Sequence, residues 1–279
     1  MVTMKDFKDK VAVITGGGGG IGRAMALQLA SEGCNLALAD ISEEGLLESV
    51  KQLESYNVKV SHHVVDVTSR ERMEAFPAEV LAIHGKVNIL ANNAGITLQK
   101  TFEGHSIEDW EFALGINLWG VIYGSKVFLP ALKESAKAGR GNAHIINMSS
   151  LAAFMGMPNT ASYSATKAAV RTISETLWAE LHGDNVGVTS VHPGAIKTNI
   201  MRAHLESSTN LKVATETANK VEKFAMPPQK CVAKILNAVK KDKQRVVIGV
   251  DAKIVEILKR FLPSAIHKPF AKQFAKDKG

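Results

Sequence analysis

The chain has 279 residues, 46% hydrophobic and 22% charged, proportions that exclude a disordered or collagen-like polymer. Its net charge of +7 is uneven: residues 220–279 balance at +10 and the rest at −3, and with no zinc-finger spacing or RNA-binding aromatic motif beside it, this basic end does not point to nucleic acid. Two cysteines, Cys34 and Cys231, make no disulfide framework, no unbroken apolar run nears the roughly 18 residues of a membrane span, and the opening MVTMKDFKDK lacks a signal-peptide core, so a reducing cytoplasm is the expected compartment.

In chain order, short apolar runs alternate with longer amphipathic ones. Strands are predicted at Lys10–Thr15, Cys34–Asp40, Val58–Asp66, Val87–Asn92, His144–Met148, Val186–His192 and Arg245–Ile248. Several are nearly continuous in Val, Ile, Leu and Ala, the composition of strands covered on both faces. Helix-length segments lie between them, with N-caps expected at Ser42 and Ser69. Such alternation predicts a single α/β domain, a Rossmann-type doubly wound parallel sheet of about seven strands with helices on both faces. Residues 1–250 would form the main domain, and 251–279 a basic amphipathic extension.

The first strand runs into Thr15-Gly-Gly-Gly-Gly-Gly-Ile-Gly22 and then a helical run. Glycines there allow the strand-to-helix turn, let backbone amides approach a pyrophosphate, and bring helix and sheet together. Gly17, Gly19 and Gly22 satisfy GxGxxG, but five consecutive glycines leave the register open, and TGxxxGIG from Thr15 fits equally. Asp40 ends the next strand 18 residues after Gly22, where a carboxylate can accept hydrogen bonds from adenosine ribose hydroxyls. Tyr163 and Lys167 are four apart in a predicted helix and so face the same way. A lysine charge about 5 Å from a phenol, at an effective dielectric near 20, favours the phenolate by roughly 3 kcal/mol. That predicts a Tyr163 pKa about two units below its usual value near 10.

These motifs, in this order, resemble the classical short-chain dehydrogenases/reductases, along nearly the whole chain to about Ile248. Asp66-Val67 matches the family's adenine-contacting position, Asn92-Asn93-Ala94-Gly95 its NNAG signature, and Asn117 its catalytic asparagine. Ser150, Tyr163 and Lys167 match Ser-x12-Tyr-x3-Lys, and Pro193-Gly194 with Thr198 match the stretch that grips the nicotinamide end. The resemblance implies four catalytic residues. Tyr163 is the general acid/base and Ser150 the holder of the reacting oxygen, with Ser149 as its local competitor. Lys167 binds the nicotinamide ribose, and Asn117 positions a relay water. Cofactor contacts are expected at Gly16, Gly19, Gly20, Ile21, Gly22, Asp40, Asp66, Val67, Asn93, Ala94, Gly95, Tyr163, Lys167, Pro193, Gly194, Ile196 and Thr198.

NAD is favoured over NADP, because Asp40 would repel a 2′-phosphate by about 4 kcal/mol per unit charge at close range. The positions where NADP-using relatives commonly carry a cation are Gly19 and Ile41, and Arg23 is read as a helix-surface residue. A substrate lid is implied at about 198–227. Phe154, Met155, Met157, Ile200, Met201 and Leu205 suggest an apolar pocket, with Ser150, Met157 and Tyr163 as substrate contacts. The expected reaction is NAD-linked interconversion of a secondary alcohol and a ketone on a lipophilic substrate. The alternative is a non-catalytic NAD sensor, which would be expected to lose Tyr163 or Lys167.

Metal chemistry is not expected, since His62 and His63 alternate across a strand and no HExxH occurs. The helices from about Ser106 and Ala161 resemble those of the family's dimer and tetramer interfaces, which implies a homodimer or homotetramer. Ala252–Leu262 carries an apolar face at helical spacing. Ile266, Phe270 and Phe274 follow at intervals of four, with Lys268, Lys272 and Lys276 on another face. This extension either packs on its own domain or an interface, or touches a membrane surface weakly.

Overall fold

A computed structural model describes residues 4–139, 141–201, 203, 206 and 208–278. The seven strands are β1 (Val11–Thr15), β2 (Asn35–Asp40), β3 (Val60–Val64), β4 (Ile89–Asn92), β5 (Ala143–Met148), β6 (Val186–Pro193) and β7 (Arg245–Ile248). Each lies within two residues of its predicted bounds. They form one sheet in the order β3-β2-β1-β4-β5-β6-β7, parallel throughout.

Alternation along the strands feeds two cores. Ala12, Ile14, Ile146 and Met148 pack on one face against α1 (Gly20–Ser31), α2 (Glu43–Leu53) and α8 (Pro228–Lys240). Val13, Ala37, Leu90 and Ile145 pack on the other against α3 (Arg70–His84) and α5 (Gly120–Lys137). Both faces being dry explains why these strands read as nearly continuous apolar runs.

The helix starts obey local chemistry. The Ser42 hydroxyl accepts from the Gly45 amide at 3.1 Å and Ser69 from Arg72 at 3.2 Å, as expected of N-caps. Ser106 and Asp109 form a reciprocal capping box at the start of α4 (Ile107–Leu114). From there the helical path continues to Lys137 through one π-helical segment, Gly115–Trp119, with Asn117 at its centre. By length and composition this path could cross a bilayer. In this fold it lies on the sheet instead, burying Asn117, Val121, Phe128 and Leu132.

The chain reverses its winding direction between β1 and β4, so the loops after these strands diverge and open a crevice at their carboxyl ends. The remaining elements, α6 (Ala161–Glu180), α7 (Leu211–Phe224), α9 (Val250–Phe261) and α10 (His267–Lys278), close around that crevice or follow it. The segment read as an extension is not detached, because α9 packs on β7 and on the turn after Ser150.

Candidate active site

The crevice is a cavity of about 980 Å³ lined from the β1 loop across to the segment after Thr198. At its phosphate end the structure selects the TGxxxGIG register. Gly16 and Gly20 have φ of +67° and +52°, while Gly17 has ordinary φ and packs on Leu38. Gly22 is buried beneath the loop, where a Cβ would come within 2.0 Å of the Gly16 carbonyl oxygen. It therefore sets the approach of α1 to the loop and does not line the cavity, which corrects its expected role as a cofactor contact. Gly19 has nothing within 4 Å of its Cβ position, leaving open space before the unpaired amides of the first turn of α1. An anion fits there.

Asn93 braces this loop from β4. Its side-chain amide donates to the carbonyls of Thr15 (2.9 Å) and Gly16 (3.1 Å). Thr15 Oγ1 accepts in return from the amides of Asn93 (3.0 Å) and Ala94 (3.1 Å). Thr15 entered the sequence reading only as the start of a motif; here it joins the two diverging loops.

Asp40 lines the cavity beside the glycine loop, at the end expected to take the adenosine. Its oxygens accept from the amides of Gly18 (2.9 Å) and Ser42 (3.0 Å), which aims the carboxylate. Arg23, the one ambiguous cation and expected on the helix surface, is half-buried. Its guanidinium donates to Ser49 Oγ (2.9 Å), the Gly45 carbonyl (3.1 Å) and the Gly18 carbonyl, tying the glycine loop to α2. Asp66 and Val67 also line the cavity. Asp66 Oδ1 accepts from the amide and hydroxyl of Thr68, both at 2.8 Å.

At the other end the four expected catalytic residues converge. The amide side chain of Asn117 is fully buried and pairs with the main chain of Ile96, accepting from its N–H and donating to its C=O, both at 2.9 Å. A Cβ on Gly95 would lie 3.0 Å from Asn117 Oδ1 and 3.3 Å from Lys167 Nζ, so only glycine lets the β4 loop sit against both. Between the two serines, geometry decides. Ser149 Oγ donates to the Lys167 carbonyl at 2.8 Å and so anchors α6. Ser150 Oγ hydrogen-bonds the Tyr163 side chain and accepts from the Ala152 amide at 3.1 Å.

His192, not singled out in the sequence beyond ending a strand, backs Ser150. Burial pushes its pKa down to about 4, so the ring is neutral. Nδ1 donates to the Ser150 carbonyl (3.1 Å), and Nε2 accepts from the Ser190 hydroxyl (2.9 Å).

Lys167 is 3% exposed and donates from Nζ to the Met148 carbonyl at 2.9 Å. Burial pushes its pKa down to about 8. Its Nζ lies 5.6 Å from the centre of the Tyr163 ring, near the distance assumed from the sequence. Yet the Tyr163 pKa is raised, because burial of the phenol outweighs the hydrogen bond from Ser150. The predicted two-unit lowering is therefore corrected. The lysine charge points to a carbonyl, and desolvation penalises the phenolate more than that charge rewards it.

Pro193, Gly194, Ile196 and Thr198 line the same end. Their loop is held from α9, since Asp251 Oδ2 accepts from the Ala195 amide at 2.8 Å while the Gly194 amide donates to Ile248 at 2.8 Å. The segment expected to be a lid returns at Met226, bridged to Ile196, and Thr209 meets the β4 loop through Gln99 and Thr101.

The expected apolar pocket is only partly found. Of its four expected residues whose side chains are described, Ile200 lines the cavity and three do not. Phe154 turns away to stack on His192 (4.7 Å) between the guanidiniums of Arg171 and Arg245. Met155 is buried, and half-buried Met157 is not a cavity residue. The side chain of Met201, and Leu205, lie outside the described residues. The cavity wall takes its apolar character from Ile96, Met148 and Ile196 instead. Among the described residues no cluster of three metal-ligating side chains occurs.

The model of the short chain dehydrogenase family matches residues 10–209. Across 277 residues the chain is 36% identical to a putative oxidoreductase, SadH, of Mycobacterium tuberculosis, covering 98% of each. It is 35% identical over 189 residues to the 3-oxoacyl-acyl-carrier-protein reductase FabG of Thermotoga maritima, 68% of this chain and 75% of that one. The crystal structure of a short chain dehydrogenase/reductase from Burkholderia phymatum in complex with NAD superposes with a TM-score of 0.83. That protein is 28% identical, with 91% of this chain and 94% of that chain covered.

Proposed function

This chain belongs to the short-chain dehydrogenase/reductase family of oxidoreductases, and on that premise we propose that it interconverts a secondary alcohol and a ketone with NAD(H), using Tyr163 as the general acid/base. The observation that carries the reading is the convergence of Ser150, Tyr163 and Lys167 on one wall of a cavity whose far end holds the glycine loop and Asp40.

Bound NAD(H) supplies the carbon that accepts or gives the hydride. Every other part is done by the chain. Ser150 holds the reacting oxygen beside the Tyr163 hydroxyl, and His192 fixes the backbone from which Ser150 projects. In the reductive direction Tyr163 gives its proton to the carbonyl oxygen, and its raised pKa keeps that proton in place at neutral pH. In the oxidative direction it takes the alcohol proton, a step that needs the phenolate and so gains from the Lys167 ammonium nearby. Asn117, whose buried side chain is locked to Ile96 beside Lys167, fixes the β4 loop behind the site, and the relay water that this reading assigns to it would have to pass beside that loop.

Asp40 supports NAD over NADP, because its carboxylate faces the adenosine end while Arg23 is committed to Gly18, Gly45 and Ser49. A lipophilic substrate is supported by Ile96, Ile196 and Ile200 on the wall around Tyr163. The exposed faces of Ile107, Phe112 and Trp119 on the α4–α5 path support a homo-oligomer. The test is a screen of alcohols and ketones at 340 nm with NAD(H) and NADP(H) in parallel, repeated with Tyr163→Phe. Loss of a general acid/base costs about 10²–10⁴-fold in rate. A variant that keeps more than about a tenth of wild-type turnover would sink the assignment.

A further inference from the structure

We propose that α9 and α10 form a peripheral foot that docks the protein on an anionic lipid surface. On α9, Ala252 is fully buried against the domain, and the opposite side of the helix is apolar and open. Val250 and Phe261 are each 75% exposed, Ile257 55% and Ile254 50%, with Leu258 beside them. At 100° per residue these five fall within an arc of about 100° on the side opposite Ala252. Such a stripe on a soluble face wants a partner. The connection to α10 continues it, through exposed Leu262 and Phe270. Ile266, expected on the same face as Phe270, is instead buried and pins the turn between the two helices.

The charges around the stripe favour one partner. Lys253, Arg260, Lys268, Lys272 and Lys276 are exposed. Of the two acids of α9, exposed Asp251 accepts from Ala195, and Glu256 pairs with Arg245 at 2.8 Å and with Arg260, one of these cations, at 3.3 Å, which leaves the face net positive. An apolar stripe edged by cations is the chemistry of a helix lying in an anionic interface.

A second copy of the chain fits less well. The two twelve-residue helices each present a strip of roughly 18 Å by 10 Å, together still under half of the ~800 Å² each partner gives to a stable dimer. A two-fold contact there would also set these cations against one another. The foot is joined to the site, since the first turn of α9 holds the loop between Gly194 and Ile196 through Asp251. This inference does not depend on the reaction proposed above, because its readout is binding alone.

The experiment is co-sedimentation of the full chain with vesicles of phosphatidylcholine alone or with a quarter phosphatidylglycerol, at low and high salt. Each cation near an anionic surface raises partitioning roughly fivefold. Wild type should bind the anionic vesicles, release at high salt and ignore the neutral ones. Lys272→Glu with Lys276→Glu should lower binding by more than tenfold. Phe261→Glu should do the same while leaving the melting temperature and NAD affinity unchanged, as expected of an exposed side chain remote from the cofactor. Negligible binding by wild type overturns the proposal, and so does binding that Phe261→Glu leaves intact. If Phe261→Glu instead halves the oligomer by sedimentation velocity and wild type ignores vesicles, the stripe belongs to a second copy and the lipid reading is lost.

Discussion

Replacing Lys167 with Met should make the cofactor-free protein more stable at neutral pH while destroying its activity. The lysine is 3% exposed, its one hydrogen bond from Nζ goes to the Met148 carbonyl, and burial brings its pKa from 10.5 to about 8. A displacement of about 2.5 units, at 1.36 kcal/mol each, means that holding the ammonium in place at pH 7 costs about 3 kcal/mol. Methionine has a similar length and no charge, so it removes that cost. It also leaves the Met148 carbonyl unpaired, which takes back about 1–3 kcal/mol. The expected net gain is about 1 kcal/mol, or a rise of about 2–4 °C in melting temperature for a chain of this size.

The sign depends on pH. The folded pKa lies below the unfolded one, so the penalty is full below pH 8, shrinks between pH 8 and 10.5, and vanishes above. Wild type should therefore gain on the variant as pH rises through that window, and overtake it near pH 10.5, where only the lost hydrogen bond remains. Thermal unfolding by circular dichroism at pH 7 and pH 10.5, without cofactor, reads both effects. A variant less stable than wild type at pH 7, or an equal gap at both pH values, would refute the reasoning.

Other expectations follow from single contacts. Because burial keeps Tyr163 protonated, kcat/KM for alcohol oxidation should climb with pH into the alkaline range while ketone reduction stays level and then falls; identical profiles in both directions would remove Tyr163 from the proton transfer. Asp40→Ala should raise the NADP-to-NAD ratio of kcat/KM at least tenfold, since repulsion of about 4 kcal/mol per unit charge is relieved before screening; a wild-type preference for NADP would overturn the charge argument. Asp251→Ala should raise KM for NAD about five- to tenfold with little change in kcat, from the roughly 1–1.5 kcal/mol lost when the Ala195 amide loses its partner. Asp251→Asn, which keeps an acceptor, should restore most of it, and failure of that rescue would mean the carboxylate acts by charge and not by positioning the loop.

What the sequence determined by itself is whatever depends on local spacing. Apolar runs broken by capping serines placed all seven strands and helix starts such as Ser42 and Ser69, because dry strands and N-caps are decided within a few residues. The four-residue step from Tyr163 to Lys167 put both on one face of α6 for the same reason. Only the tertiary structure chose between alternatives that local spacing leaves equal. The glycine register was decided by where the Gly16 carbonyl meets α1, and Ser150 over Ser149 by which hydroxyl the backbone of α6 consumes. Phe154 lies outside the pocket, where the guanidiniums of Arg171 and Arg245 flank its ring, an arrangement that only the fold brings together. The direction of the Tyr163 shift was likewise a matter of packing. A pair distance in the sequence carries the Coulomb attraction between two groups, but desolvation is a sum over everything that surrounds the phenol, and those atoms come together only in the folded chain.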